Sequence, residues 1–189
     1  MLLLVCLILL TGCGKSQETE QQEDKQDDTP VQIGLVFDSF VIERWQKDRD
    51  VFVSTAKEYG AEVNVQNANG DIDTQISQIR YLIKKKVDVL VVVCIDSDAL
   101  ADVITEAKDA GIQVIAYDRL IKNANVDLYI SFDNEKVGTL MGQALVQAGL
   151  PNKKVLMLSG PTADNNVSQV EKGFCTVMGE NGIEIVGSM

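Results

Sequence analysis

The chain has 189 residues, of which 46% are apolar, so it can form a packed core and lacks the composition of a disordered protein. Its formal net charge is −11 and its pI is near 4.4, which argues against nucleic acid or an anionic lipid surface as a partner. The sequence has no histidine, which excludes Ser-His-Asp and Cys-His nucleophiles and any metal site that needs imidazole. Its four cysteines show no C-x-x-C spacing, so no disulfide framework is indicated.

The first thirty residues are predicted to lie outside the folded part. Leu2–Leu10 is an apolar run that is too short to span a bilayer but has the length of a signal-peptide core. It leads into Thr11-Gly12-Cys13, which resembles the signal of bacterial lipoproteins. We therefore expect residues 1–12 to be removed and Cys13 to be lipidated, which would place the protein outside the cytoplasm on a membrane. The alternative is an ordinary signal peptide, and no Lys or Arg precedes the apolar run.

The segment that follows Cys13 is polar and acidic. Residues 14–30 contain six acidic residues and two lysines among Gln, Ser and Thr, and the next apolar residue is Val31. This composition predicts a solvated tether, so residues 13–30 would join a membrane anchor to a folded domain. A plain disordered N-terminus would have the same composition.

From Val31 onward, short apolar runs alternate with segments of helical periodicity. Strands are predicted at 32–37, 61–66, 87–95, 112–117 and 128–131. Helices are predicted at 44–59, after Asn69-Gly70, and before Gly111; the first would place Trp45, Phe52, Ala56 and Tyr59 on one face. This alternation predicts an α/β fold with a doubly wound parallel sheet. We call residues 31–132 the first block.

The same alternation begins again in residues 133–189, which we call the second block. Helices are predicted at 134–148 and 166–181, and strands at 155–159 and from Ile183 onward. So short a segment is at the lower limit for independent folding, and its parallel strands would lack neighbours and covering helices. We therefore interpret the second block as the start of a second, incomplete lobe.

Polar residues follow several of the predicted strands. Because ligands of open α/β sheets bind at the carboxyl ends of the strands, these positions are candidates for a binding site. The clusters are Glu43-Arg44-Trp45, Asp96-Ser97-Asp98, Asp118-Arg119 and Asp164-Asn165-Asn166. Carboxylate, amide and guanidinium groups can bind adjacent hydroxyls in pairs, and an indole can cover an apolar ring face. The combination suits a polyhydroxylated ring.

Each of these clusters also has a structural interpretation. Asp96, Ser97 or Asp98 would cap the third helix, which is the interpretation that we favour for that cluster. Trp45 could be ordinary packing on a helix face, and we leave the two possibilities equal. Asp118 and Arg119 could form a surface ion pair, although their place after a central strand favours a pocket.

Longer runs of the sequence resemble one known family. These are Glu43–Asp50 (ERWQKDRD), Ala68-Asn69-Gly70, Ala116–Arg119 (AYDR), Ile130–Gly138 (ISFDNEKVG) and Asp164-Asn165-Asn166. They resemble the type I periplasmic sugar-binding proteins, and the two longest runs resemble the D-xylose-binding branch of that family. The resemblance extends from about residue 31 to the end of the chain.

The resemblance implies a two-lobed receptor, without enzymatic activity, cofactor or metal, that closes on a monosaccharide and delivers it to an ABC permease. The implied sugar is a pentose, D-xylose, and the implied state is a monomer. The residues that would hydrogen-bond the sugar are Arg44, Asp118, Arg119, Asp164 and Asn166, and Trp45 would stack on it. The hinge between the lobes would lie at Phe132, Asp133 and Asn134.

The chain differs from this family at its C-terminal end, because the family continues through the rest of the second lobe. We therefore expect this chain to bind xylose weakly, with a dissociation constant of about 1 mM, or not at all. Two other classes of protein share the doubly wound fold. A sugar-sensing domain of a transcription regulator would carry an N-terminal helix-turn-helix, where this sequence has an apolar run and an acidic tether. A small enzyme would need a nucleophile and base or a phosphate-binding glycine loop, and the sequence shows neither pattern.

Overall fold

Strands and helices alternate along residues 29–188, the part of the chain that the computed structural model describes. The predicted signal peptide, Cys13 and nearly all of the tether lie outside these residues. The elements are β1 Gln32–Phe37, α1 Glu43–Glu58, β2 Glu62–Asn67, α2 Ile72–Lys85, β3 Val89–Val92, α3 Ala101–Asp109, β4 Gln113–Tyr117, β5 Leu128–Ile130, α4 Asn134–Ala148, β6 Lys154–Met157, α5 Asn165–Glu180 and β7 Glu184–Ser188. Within the described part, no helix combines the length and apolarity that a bilayer crossing needs.

The first block forms a five-stranded sheet in the order β2-β1-β3-β4-β5, and all of its neighbouring strands are parallel. Strand β1 lies between β2 and β3, so Ile33 pairs with Val63 on one side and with Val89 on the other. The direction of winding reverses at this point, and the crevice that results is where such sheets bind ligands. The predicted doubly wound α/β fold is confirmed.

The two faces of this sheet bury different helices. Trp45 of α1 packs with Leu35 and Phe37 of β1 on one face. Helices α2 and α3 cover the opposite face, where their buried residues pack against Val36, Leu90 and Val114. Because successive side chains of a strand point to opposite faces, Leu35 and Val36 belong to different cores. The sheet is therefore buried on both faces, as the apolar run at 87–95 predicts.

The second block contains the two-stranded parallel sheet of β6 and β7, packed against α4 and α5. Its core consists of Phe174, Val177, Met178 and Ile183 with partly buried neighbours. Helices α4 and α5 approach closely at two glycines. A Cβ atom at Gly138 would overlap the backbone of Val170, and one at Gly173 would overlap that of Glu135.

The structure changes a few predicted boundaries. Strand β3 ends at Val92 rather than at residue 95, because the side chain of Gln75 takes up the Val93 carbonyl and the Ile95 amide as hydrogen-bond partners. Strand β6 ends at Met157 rather than at residue 159. Tyr59 is 86% exposed, so its predicted place on the buried face of α1 is wrong. It is the C-cap of α1, where the helical period ends and Gly60 reverses the chain at φ +77°.

Candidate functional site

The six residues predicted to form a site lie together at the carboxyl ends of the first-block strands. Asp118 follows β4; its Oδ1 accepts a hydrogen bond from Arg44 Nη2 at 2.7 Å, and its Oδ2 accepts one from Asn166 Nδ2 at 3.1 Å. Arg119 Nε lies 2.8 Å from Asp164 Oδ2. The ring of Trp45 lies beside both guanidinium groups. With one further residue, these six form what we call the polar cluster: Asp38, Arg44, Trp45, Asp118, Arg119, Asp164 and Asn166.

Asp38 belongs to the polar cluster but is absent from the sequence-based candidates. Arg119 Nη1 donates to Asp38 Oδ2 at 2.9 Å and to the carbonyl of Cys94 at 3.0 Å. Asp38 comes directly after β1, at the carboxyl end of a central strand. The rule that identified the other clusters therefore also points to Asp38. Asp38 is not part of a conspicuous motif, whereas the Glu43-Arg44-Trp45 cluster that follows β1 is, so the prediction included only that cluster.

The backbone of Asp118 is held in an unusual conformation. Its φ is +63°, in the left-handed region that non-glycine residues adopt infrequently. Its carbonyl accepts hydrogen bonds from Ser131 Oγ at 2.6 Å and Asn166 Nδ2 at 3.1 Å, and its amide donates to the Ile130 carbonyl at 2.7 Å. These bonds stabilise a turn that points the carboxylate at Arg44, and strain maintained in this way is typical of functional sites.

Trp45 is both a packing residue and a member of the polar cluster. It is only 3% exposed, and its ring packs against Phe37 at a centroid distance of 6.1 Å. The guanidinium carbons of Arg44 and Arg119 lie 4.4 and 5.8 Å from its centroid. Cation–π contacts of this kind hold the indole among the charged groups. A ligand could therefore stack on Trp45 only if one of the arginines moves.

The charged groups of the polar cluster are mostly buried, with the exception of Arg44, whose side chain is 42% exposed. Asp38, Asp118 and Asp164 are each less than one-tenth exposed, and two guanidinium groups lie among them. Burial lowers the pKa of Arg44, but the hydrogen bond to Asp118 and the charges of Asp118 and Asp48 outweigh it, so the net shift of this pKa is upward. The alternative that Asp118 and Arg119 form a surface ion pair is wrong. The side chains of Asp118 and Arg119 are only 7% and 13% exposed, and each pairs with other residues.

Several polar atoms of the cluster have no hydrogen-bond partner in the protein. Among residues 29–188, four buried side-chain N or O atoms are unpaired in this sense, and three belong to the cluster: Trp45 Nε1, Arg119 Nε and Asn166 Oδ1. Although Arg119 Nε lies close to Asp164, its N–H is not aligned for a hydrogen bond. Buried polar groups are almost always paired, so these three atoms are candidates for hydrogen bonds to a ligand or to water.

The loop after β3 does not cap α3 as predicted. The N-cap of α3 is Leu100, which makes no side-chain capping bond. Asp96 Oδ1 instead accepts hydrogen bonds from the amides of Asp98 at 2.7 Å and Ala99 at 3.2 Å. These bonds stabilise a turn that precedes the N-cap of the helix. The amide of Ser97 donates to the Ala163 carbonyl of the second block at 3.0 Å, so this loop joins the two blocks.

The predicted hinge residues lie at the junction of β5 and α4: Phe132 and Asp133 precede the helix, and Asn134 is its first residue. Phe132 is 64% exposed, and its ring centroid lies 5.4 Å from the Arg44 guanidinium. Asp133 is the N-cap of α4 and accepts from the amide of Lys136 at 2.9 Å. Asn134 is buried and donates to Ser131 Oγ at 3.3 Å. Phe132 therefore contacts the polar cluster, whereas Asp133 and Asn134 order the start of the helix.

A second feature of the described residues is a groove that shares one lining residue, Asn166, with the polar cluster. This groove of about 400 Å³ runs between α4, β6 and α5. Its lining is mostly apolar, including Met141, Leu156, Leu158 and Phe174, and Asn166 lies at its edge. In residues 29–188, no three His, Cys, Asp or Glu side chains are arranged to hold a metal ion.

Comparison with known proteins identifies the family. A sequence model described as the periplasmic binding protein domain matches residues 33–189, which is most of the chain. The chain belongs to the periplasmic binding protein family. This confirms the resemblance found in the sequence, and it makes the chain a member of a family of binding proteins rather than of enzymes.

Individual members of the periplasmic binding protein family give the degree of similarity. The D-xylose-binding periplasmic protein of Haemophilus influenzae is 49% identical over 148 residues, covering 78% of this chain and 44% of the relative. That of Escherichia coli is 44% identical over 171 residues, covering 90% and 51%. A solved ABC transporter solute-binding protein from Clostridium phytofermentans with bound β-D-glucose superimposes with a TM-score of 0.75 at 33% identity, covering 82% and 51%. The chain thus spans about half the length of these relatives.

Proposed function

We propose that this chain is the sugar-binding part of an extracytoplasmic receptor that delivers a monosaccharide, D-xylose, to an ABC permease. The concentration of unpaired buried polar atoms in the polar cluster is the observation that carries the proposal. The names of the two relatives that bind D-xylose support the choice of sugar. The solved relative with bound β-D-glucose makes glucose the second candidate.

We further propose which residues form the lobes, the hinge, the signal peptide and the tether. Residues 31–132 form the N-terminal lobe and residues 133–189 form part of the second, with the hinge at Phe132, Asp133 and Asn134. Residues 1–12 are a signal peptide, and 13–30 are a tether lipidated at Cys13 that holds a monomeric receptor at the membrane.

The chemistry of the polar cluster suits a sugar. Arg44 and Arg119 donate hydrogen bonds in pairs, and the carboxylates of Asp118 and Asp164 accept them, so adjacent hydroxyls of one ring can bind both kinds of group. In the structure, the arginines and aspartates bind one another, and Asn166 binds Asp118 across the two blocks. Sugar hydroxyls would take the place of some of these contacts. A bound sugar would then connect the first and second blocks, which direct contacts between side chains connect when no sugar is bound.

Isothermal titration calorimetry of the chain from Gly14 onward, with D-xylose, D-glucose and D-ribose, tests this proposal. Of the two outcomes expected from the sequence, weak binding and no binding, the proposed function requires the first, so D-xylose should bind with a dissociation constant of about 1 mM. Asp118→Asn should weaken binding about tenfold, because the amide loses the charge that pairs with Arg44. Trp45 is the only tryptophan of the chain, so its fluorescence gives an independent signal at the site.

Asp50→Asn is the matched control, since Asp50 lies on the exposed side of α1 and pairs with Arg49. It should leave the affinity unchanged. If none of the three sugars gave a heat of binding, or if Asp118→Asn and Asp50→Asn lowered the sugar affinity equally, the proposed function would be contradicted.

A further inference from the structure

We propose that Asp48 and Tyr117 form a positioning pair that fixes the guanidinium of Arg44 in the polar cluster. Asp48 lies one helical turn after Arg44 on α1, and its Oδ2 is 3.4 Å from Arg44 Nε. The same oxygen accepts a hydrogen bond from the hydroxyl of Tyr117 at 3.0 Å. The inference rests on the proposed function, because it concerns how a sugar-binding residue is held.

Arg44 needs such support because its side chain is long and 42% exposed. Holding a side chain with many rotamers in one orientation costs conformational entropy. Nη2 of Arg44 is fixed by Asp118, and the guanidinium carbon lies 4.4 Å from the ring centroid of Trp45 and 5.4 Å from that of Phe132. Asp48 attracts the remaining side, at Nε.

Tyr117 makes Asp48 a directional partner. A free carboxylate can rotate, whereas the Tyr117 hydroxyl holds Oδ2 at one point between the two side chains. Burial, followed by the hydrogen bond to Asp48, raises the pKa of Tyr117, so the hydroxyl stays protonated and donates at neutral pH. Tyr117 is the last residue of β4 and directly precedes Asp118. One strand end therefore holds the guanidinium at two points, directly through Asp118 and indirectly through Asp48.

The magnitude of the contact favours positioning over stability. Ion pairs one helical turn apart on an exposed helix contribute too little to stability to matter for folding. An arginine that must present fixed N–H groups to a ligand is much more sensitive to orientation. Loss of Asp48 should therefore change the state of Arg44 and the sugar affinity, while the melting temperature stays nearly constant.

The test combines two measurements on Asp48→Asn, Tyr117→Phe and the control Asp50→Asn. The first is the ¹⁵N NMR signal of the Arg44 Nε–H group without sugar, assigned by its loss in Arg44→Lys. We expect Asp48→Asn to shift this signal and speed its exchange with water, Tyr117→Phe to do so less, and Asp50→Asn to leave it unchanged. The second is calorimetry with D-xylose, where Asp48→Asn should raise the dissociation constant about threefold to tenfold.

A double-mutant cycle separates positioning from a structural role. In the Arg44→Lys background, Asp48→Asn should change the affinity no further, because lysine has no Nε–H to orient. An unchanged Arg44 signal in Asp48→Asn, or an equal loss of affinity in both backgrounds, would overturn the inference. If the wild-type chain binds no sugar, the proposed function fails, and the NMR measurement by itself decides whether Asp48 positions Arg44.

Discussion

Single side chains of this protein often connect two elements, and this is how the polar cluster is built. Asp118 is held through its backbone by Ser131 and Asn166 and through its carboxylate by Arg44. Arg119 reaches Asp38 after β1 and the Cys94 carbonyl after β3. Asp38, Asp118 and Arg119 follow strand ends, so the parallel register of the sheet brings them together without long loops.

Gln75 gives a residue-scale prediction for the edge of the site. It is fully buried; its Nε2 donates to the Val93 carbonyl and its Oε1 accepts from the Ile95 amide, each at 3.0 Å. Gln75→Leu would leave both buried backbone groups without a partner. We expect it to lower the free energy of unfolding by about 2–4 kcal/mol, measured by urea denaturation.

Gln78→Leu, on the same helix, is the control for that measurement. Gln78 Nε2 donates to the Asn67 carbonyl, but its buried Oε1 has no partner in the protein. The substitution removes one hydrogen bond together with one unpaired oxygen, so it should cost less than about 1 kcal/mol. Equal costs at the two positions would contradict the role of Gln75 in ending β3.

Hydrophobic periodicity determines where the helices form, whereas close backbone contacts determine how two of them pack. Helix α2 follows the hydrophobic periodicity of the sequence. Its N-cap is Asp71, whose side chain accepts a hydrogen bond from the Thr74 amide. Helix α4 has the predicted bounds, Asn134–Ala148. Its packing against α5, however, depends on Gly138 and Gly173, where the two backbones touch. Periodicity indicates that a helix forms, but it does not show which glycines lie at a crossing.

These glycines give a prediction at the scale of elements. Gly138→Ala and Gly173→Ala place a methyl group against the backbone of the opposite helix, which cannot move away as a side chain could. Each should destabilise the packing of α4 and α5 by about 2–4 kcal/mol, measured by thermal unfolding followed by circular dichroism.

Gly179→Ala is the matched control, because Gly179 also lies in α5 and a Cβ there has no neighbour within 4 Å. Alanine favours a helix over glycine by up to about 1 kcal/mol, so this variant should unfold at the same or a higher temperature. If all three variants behaved alike, helix propensity rather than the crossing would explain the effect.

For the molecule as a whole, the residues proposed to bind the ligand are also those that join the two blocks. The Arg119–Asp164 contact, the bonds from Asn166 to Asp118 and the bond from Ser97 to Ala163 all cross from one block to the other. Asp164 has a second role as the N-cap of α5, where it accepts from the Asn166 amide at 2.9 Å. The start of α5 is therefore fixed by a first-block side chain.

Two N-cap variants should show this coupling. Asp133→Ala removes only the cap of α4, which costs about 1 kcal/mol. Asp164→Ala removes the cap of α5 and also leaves Arg119 with one carboxylate partner fewer in a buried setting. We expect Asp164→Ala to cost at least about 1 kcal/mol more than Asp133→Ala in denaturant unfolding. Equal costs would show that the contact with Arg119 adds nothing to stability.

The sequence alone determined the fold class and the order of the elements, because periodicity is a local property of the chain. Six of the seven residues in the polar cluster lie in the clusters that follow predicted strands, and the family resemblance selected them from those clusters. Asp38 followed from the same rule but lacked a conspicuous neighbouring motif. Only the tertiary structure decided what these residues bind: that Asp118 pairs with Arg44 rather than Arg119, that the Arg119 guanidinium lies beside the ring of Trp45, and that the Tyr117 hydroxyl donates to Asp48. These contacts join residues that are distant along the chain, so they depend on how the turns and helices meet in space.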